Sequence, residues 1–115
     1  MSFDYPSSIG ALTANERLRF YELFAHNLTV VIRGIWSDEA ITDAEKVDRI
    51  KWVNEILHRV TSKVRVLRLN EHEWSEEDSW QDIQHWVSQN RETESLVNAA
   101  VSWSYDSVMN STARS

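Results

Sequence analysis

Ile50, Val53, Leu57, Val60, Val64 and Leu67 follow one another at spacings of three, four, three, four and three residues. An α-helix completes a turn every 3.6 residues, so this recurrence puts all six on one side of it. A stripe of that length has to be covered, and it therefore dictates what the rest of the chain must supply. Its start is marked by Thr42 and Glu45, which stand in the S/T-x-x-E relation of a capping box, with Asp43 adding negative charge to the first turn. At its end, Val64-Arg65-Val66-Leu67-Arg68-Leu69 mixes β-branched residues with the partial alternation of a strand. Val64 and Leu67 continue the stripe, which favours helix over strand. The predicted helix runs from Thr42 to Leu69, about 42 Å at 1.5 Å per residue.

The neighbours are legible in the same terms. Thr13 and Glu16 form a second capping box, after which Tyr21, Phe24, Leu28, Val31 and Ile35 make another stripe, widened by Phe20, Leu23, Val30 and Ile32. This helix is predicted to run to about Arg33, with Gly34 as the left-handed residue that closes it and Ile35 packed just beyond. The acidic connector Trp36 to Ile41 is short enough to bring the first two helices antiparallel. Asn70 to Trp74 interrupts the apolar pattern. Ser75 with Asp78 then reads as an N-cap, Glu76 and Glu77 load the first turn, and Trp80, Ile83 and Val87 form a core face. Asn90 can stop this helix or cap the next, in which Val97, Val101, Ser104 and Val108 share a line with Leu96, Ala100 and Trp103 beside it.

The expected fold is all-α, an antiparallel bundle of about four helices, the second long and the third and fourth short. Two glycines and one proline, all within the first 34 positions, leave too few turn residues for a many-stranded protein. With 115 residues, one helical domain over 1–115 is expected, with a flexible N-terminal arm (1–11) and a frayed C-terminus (110–115). No stretch approaches 18 apolar residues, so no membrane span is expected. The first residues lack the basic start and apolar run of a secretory signal, so the protein is expected to be cytoplasmic.

The net charge of −6 is unevenly spread. Residues 37–48 carry −4, residues 49–69 carry +5 (six basic residues against Glu55), and residues 70–94 carry −7. Adjacent blocks of opposite sign are most simply helices attracting one another within the chain, with an acidic surface for a basic partner as the sharper alternative. Nucleic acid is disfavoured, because the basic residues spread around the second helix and the whole chain is acidic.

No chemical motif stands out. The carboxylate and histidine pairs Glu22/His26, Glu55/His58 and Asp82/His85 have helical spacing, but each falls on the outer positions of its helix, so neither a metal site nor a cofactor is expected. There is no G-x-S-x-G elbow and no glycine-rich phosphate loop, and without cysteine there is no thiolate chemistry. The expected function is a non-enzymatic protein-interaction module, an inhibitor, immunity-type or adaptor partner of another protein. The alternative is a ligand-binding or catalytic bundle with a core pocket lined by Tyr21, Phe24 and Leu57.

Six tryptophans direct that expectation to particular residues. Trp80 is assigned to the core, Trp74 to the approach to the third helix and Trp36 to the first joint. Trp52, Trp86 and Trp103, with Ile56, are then candidates for a partner-binding surface, the alternative being a core wider than these stripes. Finally, a short third helix would leave the C-terminal half of the second uncovered. A homodimer is expected there through Val60, Val64 and Leu67, with Arg65 and Arg68 meeting acids such as Glu71 and Glu73 of the other copy. A fourth helix folding back over this surface would remove the need for a dimer.

Overall fold

The computed structural model describes residues 12–70 and 76–114. Four helices account for nearly all of them: α1 (Ala14–Ser37), α2 (Asp43–Asn70), α3 (Glu76–Ser88) and α4 (Arg91–Arg114), with no strand among the described residues. The arm 1–11, the Ser75 cap with Glu71 to Trp74, and the side chains of Glu76, Glu77 and Asp78 lie outside the described residues.

Each described helix start is made by the side chains that the sequence nominated. The Thr13 hydroxyl accepts from the Glu16 N–H while the Glu16 carboxylate accepts from the Thr13 N–H (3.2 and 2.8 Å). The same exchange joins Thr42 and Glu45 (3.2 and 3.1 Å). Asn90 caps α4, its Oδ1 accepting from the N–H groups of Glu92 and Thr93. Each exchange satisfies donors that a helix start would otherwise leave open.

Helix α1 ends later than expected. Gly34 is helical, with no positive φ, and Ile35 lies in the helix and is buried. The stripe of Leu28, Val31 and Ile35 carries the helix through one more turn, and it stops where Asp38 turns extended and its N–H bonds to the Ile35 carbonyl. Trp36 does not close the joint. Its ring is exposed, and its carbonyl accepts a hydrogen bond from Lys46 Nζ.

Cross-helix contacts give the topology. Arg68 meets Glu22, Asp82 meets both Arg59 and Lys63, and Asn27 Nδ2 donates to Ser104 Oγ. Rising numbers on one helix run against falling numbers on the next, so the helices go up, down, up and down. Helix α2, 28 residues or about 42 Å, spans the molecule's longest dimension of 43 Å.

The predicted core is the observed core, with one rotation. Tyr21, Phe24, Leu28, Val31 and Ile35 of α1, Trp80, Ile83 and Val87 of α3, and Val97, Ala100, Val101, Ser104 and Val108 of α4 are all buried. On α2, Val53, Val60, Val64 and Leu67 are buried with Ile56, while Ile50 and Leu57 are only half covered. Flanked by α1, α3 and α4, this helix buries a face turned toward Ile56. Fully burying a large apolar side chain is worth about 1.5–3 kcal/mol, whereas an exposed ion pair is worth about 0–1, so the stripes hold the bundle together and the charges orient it.

At the centre, Trp80 packs against Phe20, Tyr21 and Phe24 at ring-centroid distances of 5.6, 6.3 and 6.2 Å. Its buried Nε1 has no hydrogen-bond partner. That costs about 1–3 kcal/mol, which three aromatic contacts at about 0.5–1.5 kcal/mol each offset.

The length argument behind the dimer does not hold. Helix α4 is as long as α1 at 24 residues, because its apolar line runs on to Val108 and the helix continues to Arg114. Val60, Val64 and Leu67 are buried within the chain, and Arg68 pairs with Glu22 of the same chain at 2.8 Å. Arg65 is exposed, as are Val66 and Leu69.

Candidate functional site

Among the described residues, two surfaces carry the tryptophans nominated for a partner, Trp52 and Trp86 on one and Trp103 on the other. The first lies between α2 and α3. Trp52 and Trp86 pack across it with ring centroids 6.0 Å apart, and the Arg59 guanidinium sits 4.0 Å over the Trp86 ring. Arg59 also pairs with Glu55 at 3.3 Å and with Asp82 at 3.5 Å, and Lys63 reaches the same Asp82 oxygen at 3.5 Å. These contacts close the surface. Trp52 and Trp86 are half-buried and occupied with each other, and Ile56, at 1% exposure, belongs to the core and has no face to offer a partner.

A hollow of about 470 Å³ opens beside this cluster, lined by Glu55, His58, Arg59, Ser62, Lys63, Val66 and Asp82. Its two acids and two bases balance in charge through these pairs, so it presents little net charge to a ligand, although the buried Arg59 Nε has no hydrogen-bond partner. Glu22, paired with Arg68, is likewise committed. Among the described residues no group of three His, Asp or Glu side chains is placed to hold a metal ion.

The residues proposed to line a ligand pocket are not brought together. Tyr21 and Phe24 are fully buried rings in the central aromatic cluster. Leu57 packs half-covered at the edge of the core and borders a separate hollow with Asn54, Glu55, His58 and Thr61.

The second surface is open. Between the C-terminal half of α1 and the N-terminal half of α4 runs a groove of about 270 Å³, lined mainly by Val30, Val31, Ile35, Ile41, Leu96 and Trp103. Trp103 is 55% exposed, Val30 44% and Leu96 40%. Gly34 forms part of the floor, and a Cβ added there would meet nothing within 4 Å. Asn27 and Ser104 fix the two helices in register at one end, and Ser104 Oγ donates in turn to the Ala100 carbonyl.

The groove's other end is acidic. Asp38 and Arg49 line it, and Arg49 is held between Glu45 at 3.5 Å and Glu92 at 3.4 Å. One guanidinium thus pairs with two carboxylates, and Asp38, whose Oδ1 accepts from the Ala40 N–H, lines the same end. Glu45 is held below the usual carboxylate range by the Thr42 N–H, then by the Thr42 hydroxyl and the Arg49 charge, so it is ionised at neutral pH.

Of the tryptophans nominated from the sequence, only Trp103 opens onto this surface. Val30, Gly34, Ile41 and Leu96 were not nominated. One signal was present: Val30, Leu96 and Trp103 each stand one position before a buried residue, Val31, Val97 and Ser104. Only the antiparallel pairing of α1 with α4 turns those offsets into a shared groove. Among the described residues no helix is long and apolar enough to cross a membrane. Comparisons with models of protein families, with curated proteins and with solved structures give no match.

Proposed function

We propose that this protein is a non-enzymatic interaction module that binds another protein through the groove between α1 and α4. The observation that carries this reading is the apolar opening in which Trp103, Val30 and Leu96 stand exposed beside the buried Val31 and Ile35. Grouped apolar side chains of this kind mark interaction sites, whereas scattered ones do not, and tryptophan is enriched among residues that dominate binding energy. At about 270 Å³ the groove falls just below the roughly 300–1,000 Å³ usual for small-molecule pockets. It suits a bulky anchor side chain from a partner's surface better than an enclosed substrate.

Affinity capture from the source cells tests the reading. Wild-type protein is compared with Trp103→Asp, which places a charge in the groove, and with Arg65→Ser, an exposed change on α2. A partner retained by wild type and Arg65→Ser and lost with Trp103→Asp is the expected result, provided that circular dichroism shows all three folded. Retention by Trp103→Asp at the wild-type level would remove the groove from consideration.

A further inference from the structure

We infer that the groove's occupant is a basic amphipathic helix, seating apolar anchors against Trp103 and Leu96 and directing Lys or Arg side chains at Asp38, Glu45 and Glu92. The inference rests on the groove being the binding face and deepens that reading by naming the partner's chemistry. Backbone pairing is not on offer, because the described residues form helices and present no sheet edge to which an extended peptide could add a strand. A trough between two helices takes a third helix, read through anchors at i, i+3 or i+4, and i+7. Leu96 and Trp103 are themselves seven residues apart on α4, about 10.5 Å, which matches two turns of such an occupant.

Charge selects its sign. Asp38 and Arg49 line the groove itself, and the helix termini at this end of the bundle carry seven acids (Asp38, Glu39, Asp43, Glu45, Asp48, Glu92, Glu94) against four bases (Arg33, Lys46, Arg49, Arg91). Lys46 is drawn to the Trp36 carbonyl, and Arg49 is shared between Glu45 and Glu92. The surplus is therefore negative beside an apolar trough. An acidic helix would meet repulsion and a basic one attraction, which sets both partner choice and association rate.

Three synthetic helical peptides of about four turns test this by fluorescence anisotropy and by amide shifts of the labelled protein. One carries a Leu/Phe stripe flanked by lysine, one the same stripe flanked by glutamate, and one the lysine flanks with alanine in the stripe. The lysine peptide with its apolar stripe is expected to bind, to move the Gly34 and Leu96 amides, and to weaken about tenfold from low to high salt as screening shortens. The other two are expected to bind at least about tenfold more weakly.

Asp38→Asn combined with Glu92→Gln should weaken the lysine peptide about fivefold. The asparagine keeps an acceptor for the Ala40 N–H that Asp38 Oδ1 now serves. Arg49→Gln, which frees two carboxylates, should tighten it about threefold, an effect in the direction opposite to structural damage. Equal binding by the glutamate peptide, or no shift at Gly34 and Leu96 with any peptide, overturns the inference. The groove reading itself is judged separately, by the Trp103→Asp capture.

Discussion

Gly34 shows how a single residue's role depends on what lies across from it. In sequence it looks like a helix terminator, since glycine after a run of apolar periodicity commonly closes a helix. In the structure it is helical and in the groove floor, with open space where a Cβ would be. Gly34→Ala should therefore raise stability, by up to about 1 kcal/mol, because alanine loses less backbone freedom on folding. A chemical-denaturation midpoint that rises with an unchanged slope is the expected result, and a fall would show that the floor is tighter than its geometry. Trp103 teaches the complementary lesson. Its neighbourhood of Ala100, Val101 and Ser104 identifies a helix packed on one side, but nothing local distinguishes a ring that covers the core from one left standing above a groove.

Among the elements, the helix starts were the most legible, because a cap is a contact between residues three apart and needs no tertiary information. Thr13/Glu16, Thr42/Glu45 and Asn90 all act as their spacing says. The α2 cap carries a pH dependence whose sign follows from Glu45. Its folded pKa is depressed, so its contribution is complete above the ordinary carboxylate range and is lost as pH falls through the folded value. The thermal midpoints of wild type and Glu45→Ala should differ at neutral pH and converge as pH falls through the depressed folded-state value. A gap that persists undiminished there would contradict the capping role. Helix ends were less legible. Helix α1 runs past its expected stop at Arg33, because Ile35, already in its stripe, is buried and keeps Gly34 helical, and α4 continues beyond Val108 to Arg114. In the rotation of the buried face of α2 from Leu57 to Ile56, three packed neighbours decide which residue at the stripe's edge is covered.

For the molecule as a whole, the opposite-charge blocks resolve only in part into contacts within the chain, with Asp82 and Glu92 the acids of those blocks that pair across helices among the described residues. Arg49, Arg59, Lys63 and Arg68 meet Glu92, Asp82 and Glu22 across helix boundaries. Among the described residues, the acids Asp38, Glu39, Asp43 and Asp48 of the α1–α2 corner stand outside these pairs. With α4 reaching as far as it does, Val64 is a core residue, so Val64→Glu should unfold the chain and not split an assembly. Burying an unpaired carboxylate costs about 3 kcal/mol or more. Helicity measured by circular dichroism should drop at every protein concentration. A variant that stays folded and merely lowers the mass seen by light scattering would restore the dimer through α2. The central claim, that the α1–α4 groove is the binding face, can be read directly because the chain has no cysteine. Leu96→Cys and Lys51→Cys, each labelled with an environment-sensitive dye, are titrated with the partner recovered by capture. The account predicts a blue shift and brightening at position 96 with no change at 51, and a response at 51 with none at 96 would contradict it.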